Sequence, residues 1–223
     1  MSVYLSDTFS GSGAPDATKW TAPAAAFQEG GALGDLLQSG GFLTITSPSS
    51  GTPNRGGEMW GLNSAPAADQ YIEAVVSVTS ANANADLYLG VRFIKDTNPL
   101  HGYYVLLSNH TVAGVTTGID YTLAKRDLTG SDQFFFGVSG TLAALSGTFR
   151  VSAVGSTIEL LVNGVSAGTQ TDATIAGAGR PLIAMDGTYN AGPVNKFSID
   201  SVTCDATLPS DFWTDFVKSQ ELA

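Results

Sequence analysis

The chain has 223 residues, 43% of them apolar and only 13% charged, with 20 acidic against 10 basic side chains and a formal charge of −10. A phosphate backbone or an anionic bilayer is bound by basic patches, and this sequence has none, so nucleic-acid and membrane binding are disfavoured. Cys204 is the single cysteine, which excludes an intrachain disulfide and a cysteine-rich zinc site.

In chain order, the opening "MSVYLSDTFSG" has neither a basic n-region nor a long apolar run, so it does not read as a secretory leader. No later stretch reaches the ~18 apolar residues of a spanning helix. The expectation is a soluble chain made in a cytoplasm. Residues 11–32, rich in Gly, Ala and Pro, read as a long surface connection. Period-two runs then follow one another between Gly, Ser, Asn and Asp clusters. They are "GFLTITS", "QYIEAVVSVTS", "DLYLGVRFI", "GYYVLLSN", "GIDYTLAKRDL", "DQFFFGVSG", "GTFRVSAVG", "STIELLVNGVSAGTQT", "RPLIAMDG" and "NKFSIDSVTCDA". In "DLYLGVRFI", Leu87, Leu89, Val91 and Phe93 alternate with Tyr88, Gly90, Arg92 and Ile94. The first set predicts a core face and the second an outer face.

Within "TIELLVNGVSAG", Asn163-Gly164 predicts a two-residue hairpin turn, because both residues accept positive φ. Ile158, Leu160 and Val162 are expected to face inward. In "DQFFFGVSG", Phe134, Phe135 and Phe136 cannot all face one core, so Phe135 is expected to meet a second sheet, a loop or a neighbour. The apolar neighbours of Cys204 predict a buried, structural thiol. The end, "LPSDFWTDFVKSQELA", predicts a short helix over residues 207–223, capped by Ser210. Phe212, Trp213, Phe216 and Val217 form its apolar stripe. Many strands without interleaved helices predict an all-β, two-sheet antiparallel sandwich over residues 1–206. The terminal helix is then an anchor on that sandwich or on a partner.

Several stretches together resemble the concanavalin A-like lectin/glucanase (laminin-G-like) jelly roll. "LSDTFSGSGAPDATKW" is similar to its opening strand, with an acidic residue, Phe, a Gly-rich loop and Trp20. "LGVRFIKDTNPLHGYYVLL" resembles its paired central strands. "IELLVNGVSAGTQTD" is similar to the hairpin before its last strands, and "FSIDSVTC" to its terminal strand. Domains with this opening also occur in structural proteins of tailed phages, a setting that the Lys-poor, Ala/Gly/Thr-rich composition suits.

Glucanases of the resembled fold carry Glu-x-Asp-x-x-Glu on one strand. None of Glu29, Glu58, Glu73, Glu159 and Glu221 sits in that spacing, so hydrolysis by that route is not expected. His101 and His110 read as exposed loop histidines away from any nucleophile elbow. Lys125-Arg126 reads as a solvated basic pair. Asn82, Asn84 and Asp86 offer calcium-type oxygens, but turn chemistry accounts for them better. No metal and no cofactor are expected.

A glycan platform is the sharper candidate, because sugars stack C–H faces on aromatic rings and pair hydroxyls with polar groups. Its residues are Tyr88 and Arg92 on one strand face, Tyr71 beside Glu73 on another, and Trp60 with Asn63 in the loop "RGGEMWGLNS". The expectation is a non-enzymatic virion subunit, a head decoration or tail component, that displays this sandwich and binds host-surface glycans. Its assembly contacts would be Phe135 and the terminal stripe, on virion proteins or on further copies of itself, as in a trimer. The alternatives are a free carbohydrate-binding module and, third, a glycoside hydrolase.

Overall fold

A computed structural model describes residues 5–21, 36–45, 57–61, 68–78, 85–94, 101–126, 133–187 and 197–206. They form two antiparallel sheets. The eight-stranded sheet runs β13 (Val165–Thr171), β12 (Thr157–Val162), β11 (Ser146–Val154), β6 (Gln70–Val78), β15 (Phe197–Asp205), β4 (Phe42–Ile45) and β3 (Leu36–Ser39). Its eighth strand, β1 (Leu5–Asp7), also pairs with β15. The seven-stranded sheet runs β10 (Gln133–Leu142), β9 (Val115–Arg126), β8 (His101–Val112), β7 (Ala85–Ile94), β14 (Arg180–Gly187), β5 (Gly57–Gly61) and β2 (Trp20–Thr21). The expected all-β sandwich is present. The terminal helix expected over residues 207–223, with Phe212, Trp213, Phe216 and Val217, falls on residues outside those described, as does Asn63.

Alternation explains the core. Leu87, Leu89, Val91, Tyr103, Val105, Leu107, Ile119 and Leu123 point from the seven-stranded sheet toward Ile72, Ala74, Val76, Phe149, Val151, Ile158 and Leu160 of the other. Burying each large apolar side chain contributes about 1.5–3 kcal/mol. Val162 is partly buried against the same core, and Cys204 is buried, its thiol pKa pushed up by burial and then by Asp205. The Asn163-Gly164 turn forms with φ of 52° and 78° and joins Val162 to Val165 in register. A second such turn, Ala113-Gly114, joins β8 to β9. It lengthens both strands beyond the expected runs.

Three local readings need correction. The alternation in β7 breaks at Arg92, whose φ of 55° opens an irregularity between Val91 and Ile94. Phe93 thereby turns to the opposite face and lies over Gly90 and Gly102, where an added Cβ would come within 2.3 and 2.5 Å of its ring. Residues 11–32 are not all connection, since Trp20–Thr21 is a strand and Gly13 bridges to Gln38. Trp60 stands in strand β5 rather than in a loop, opposite Leu182 on one side and Thr21 on the other.

The opening motif acts as a clasp. Asp7 is buried and accepts from the Phe9 amide at 3.0 Å and from Trp20 Nε1 at 2.8 Å. Lys19 Nζ lies 3.5 Å from the same carboxylate. Phe9 and Trp20 close the core beside it, with ring centroids 6.3 Å apart.

Candidate functional site

The face of the seven-stranded sheet turned away from the core has two zones. The first is aromatic. Tyr88, Phe93, Tyr104, Leu182, Ala184 and Ala124 form a second apolar cluster. The Tyr88 and Tyr104 rings lie 5.6 Å apart, and Phe93 and Tyr104 6.3 Å apart. Tyr88 is only 3% exposed and Tyr104 fully buried, and burial pushes the Tyr104 phenol pKa up. Trp60 stands opposite Leu182 in this register, and Phe135 opposite Ala124; only their backbone positions are described.

The second zone is polar and reaches solvent. One file of residues crosses the sheet: Asp186 on β14, Asp86 on β7, Ser108 on β8, Asp120 on β9 and Thr141 on β10, each opposite the next in register. Asp86 lies two residues before Tyr88, and Ser108 four after Tyr104, so strand alternation puts them on this same outer face. His110, two residues beyond Ser108, joins them. Its Nδ1 lies 3.0 Å from Asp120 Oδ1 and 3.1 Å from Oδ2. Thr141 Oγ1 donates to Asp120 Oδ1. The His110 and Asp120 side chains are 36% and 40% exposed, Asp86 and Ser108 are half-buried, and Thr141 is open. A glycan can therefore reach this end of the face, while the aromatic zone is closed to it.

The other expected residues fall elsewhere. Arg92 does not share a surface with Tyr88. It is 1% exposed, donating from Nε to the Ala68 carbonyl and from Nη1 to the Ile175 carbonyl at 3.0 Å. Its own amide donates to Gln70 Oε1 at 3.0 Å, and Nη2 meets Asp69 at 3.4 Å. It is a structural tie between β7, the start of β6 and the loop before β14. Tyr71 belongs to the outer face of the other sheet. There Arg150 lies 5.0 Å over its ring and pairs with Glu73 at 2.7 Å. Burial, then the nearby Asp205, raises the Tyr71 pKa. Among the described side chains, Tyr71, Tyr88 and Arg92 are thus not brought together.

Both histidines stand in β8 rather than in loops, and His101 is buried. Lys125 is not a solvated cation, since its Nζ pairs with Asp172 at 2.6 Å. Asp120 and Ser108 escaped the sequence reading because their proximity is created by register between strands. The one available signal was their polarity at outward positions of "GIDYTL" and "YYVLLSN". Asn82 and Asn84 lie outside the described residues. Among the described residues no three His, Cys, Asp or Glu side chains gather closely enough to hold a metal ion.

Two antiparallel sheets with this strand arrangement are the concanavalin A-like jelly roll. Solved structures with the same architecture include three that cover nearly the whole chain. A β-glucanase of Bacillus licheniformis matches with a TM-score of 0.62 at 12% identity, over 90% of this chain and 96% of its own. A β-1,3-glucanase of Mycobacterium marinum matches with 0.62 at 13% identity, over 92% and 99%. A structure from work on endo-acting O-glycanases, which human gut bacteria express to initiate mucin breakdown, matches with 0.63 at 12% identity, over 93% and 100%. No family model and no curated protein matches the sequence. At this identity the likeness establishes the fold. The expectation of a non-enzymatic virion subunit is corrected by these comparisons, because the two glucanases and the structure from the O-glycanase work concern glycan cleavage and none of the three points to a virion.

Proposed function

We propose that this protein is a glycoside hydrolase that binds a neutral polysaccharide across the outer face of the seven-stranded sheet and cleaves it with Asp86 and Asp120. One observation carries the reading: two carboxylates on β7 and β9 flank Ser108 at the solvent-reachable end of that face, one of them held by His110 and Thr141. Glycoside cleavage needs two carboxyl groups on either side of one bond, an acid for the leaving oxygen and a second group for the anomeric carbon. The sequence supplies no such pair along one strand. The register between strands offers Asp86 and Asp120 as a candidate pair instead, with the Ser108 hydroxyl between them available to sugar hydroxyls. The glucanases and O-glycanases that share the fold act on glycans of this general kind. With a net charge of −10 and carboxylates at the site, a neutral glycan is favoured over an anionic one.

The test is incubation with β-1,3-glucan, mixed-linkage β-1,3(4)-glucan and desialylated mucin O-glycans, following reducing ends and product length. The expected result is mid-chain cleavage of at least one. Asp120→Asn and Asp86→Asn should each lower kcat by roughly 10²–10⁴-fold, the usual contribution of a positioned acid or base. Cleavage by Asp120→Asn at the wild-type rate would overturn the reading, as would binding with no cleavage by the wild type.

A further inference from the structure

We propose that residues 207–223 fold back as a short helix on the outer face of the eight-stranded sheet, seated over Tyr71 and Leu161 of their own chain. This stands apart from the hydrolase reading and concerns the opposite sheet. A file of side chains crosses that face: Asp205 on β15, Tyr71 on β6, Ser152 on β11 and Glu159 on β12, each opposite the next in register. Their chain neighbours Cys204, Ile72, Val151 and Ile158 enter the core, so alternation turns the file outward, and Leu161 with it. An outward file is ordinarily solvated. Yet Tyr71 is 6% exposed, Ser152 2%, and Asp205, Glu159 and Leu161 8% each.

The described strands do not supply the cover. They form two sheets and no third layer. Tyr71 and Leu161 are buried but belong to neither apolar cluster of those sheets. Arg150 lies over the Tyr71 ring, and one side chain is too small to hide Ser152, Glu159 and Leu161 as well. The burial is also bounded. Thr169, next in the file on β13, is exposed, and Val75, four residues along β6 from Tyr71, is 37% exposed. A cover of limited width, at the end of the face where β15 finishes, accounts for both.

Chain length selects the occupant. Residues 207–223 follow directly on Ala206, one residue after Asp205. From β15 to β12 is three strand spacings, about 14 Å. A helix over residues 211–220 is about 15 Å long and about 10–12 Å across. Residues 1–4 also lie near the patch in sequence terms, since Leu5 pairs with Cys204. They start beyond β15, on its side away from β6, four spacings or about 19 Å from β12. Four extended residues span at most about 14 Å and do not reach it. Charge agrees with the choice. At about 100° per residue, a helix puts Phe212, Trp213, Phe216 and Val217 on one side and Asp211, Asp215 and Lys218 on the other. The uncharged stripe therefore lies on a face holding Asp205, Glu159 and Glu73 without setting like charges together. So short a helix is marginal alone and takes its order from this contact.

The experiment is hydroxyl-radical labelling of side chains on the full chain, read by mass spectrometry. In the wild type, Tyr71 and Leu161 should label weakly at every protein concentration. Trp213→Ser combined with Phe216→Ser should raise both several-fold, while Tyr88, buried on the other sheet, labels as before. Unchanged labelling of Tyr71 and Leu161 in that variant would overturn the inference. Wild-type labelling that climbs on dilution would overturn it too, since the cover would then be a second copy. If Tyr88 labelling rises as well, the variant has unfolded, and a second measurement that keeps the position aromatic decides. With p-benzoylphenylalanine in place of Phe216, irradiation should cross-link to peptides holding Tyr71, Arg150 or Leu161 within one chain. Cross-links to the seven-stranded sheet, or between chains, would contradict the proposed seat.

Discussion

The most quantitative consequence of the structure concerns Asp172, which closes the end of the sandwich opposite the polar file. It accepts from Lys125 Nζ at 2.6 Å, Tyr103 Oη at 2.9 Å and the Thr174 amide at 2.8 Å. Burial pushes its pKa up, but these donors outweigh burial and hold it at about 2, against an ordinary 3.8. Its side chain is only 11% exposed, so solvent screens the pair weakly. A depressed carboxylate stabilises the fold above its unfolded pKa and loses that contribution as pH falls through the folded value. At 1.36 kcal/mol per pKa unit, Asp172 contributes about 2 kcal/mol at neutral pH.

Asp172→Asn should therefore cost about 2 kcal/mol in urea unfolding at pH 7. The gap from wild type should shrink to under about 1 kcal/mol at pH 2.5, where most of the carboxylate's advantage is lost. Tryptophan fluorescence across the urea transition measures both. A gap of equal size at pH 7 and pH 2.5 would refute the ionic clamp and leave only a packing role.

Three further outcomes concern contacts elsewhere in the sandwich. Arg92→Met should destabilise by roughly 3 kcal/mol in chemical denaturation, because the Ala68 and Ile175 carbonyls are left without their donor. Gly179→Ala should be at least as damaging, since its Cβ would sit 2.1 Å from the Arg92 carbonyl carbon and only backbone movement relieves that clash; an unchanged melting temperature would contradict the placement of this loop. Asp7→Ala should cost roughly 3 kcal/mol, and near-ultraviolet circular dichroism should report a changed Trp20 environment as its indole loses its acceptor.

The parts of the fold legible in the sequence are those set by one chain segment at a time. Alternation alone placed Leu87, Leu89 and Val91 inward, and Asn163-Gly164 announced its turn because those residue types accept positive φ. Phe93 defeated the same logic. A single arginine with positive φ flips everything after it, and Arg92 takes that conformation because Gln70, Ala68 and Ile175 hold it there. Those partners lie 22, 24 and 83 residues away, so no local pattern signals them. The candidate site failed to show for the same reason. Asp86, Ser108 and Asp120 come from three strands, and only register makes them neighbours. Tyr88 did fall on the predicted outer face, but sequence could not reveal that this part of the face is buried.

The central claim is that the glycan lies over β7, β8 and β9 at the polar end of the outer face. Hydrogen exchange of the Asp120→Asn protein, with and without an oligosaccharide of the glycan that the wild type cleaves, tests it most directly. Slowed exchange is expected in the segments holding Asp86, Leu106–His110 and Asp120, with β6 and β11 unchanged. Protection confined to β6 and β11, around Tyr71 and Arg150, would put the glycan on the opposite sheet and contradict it.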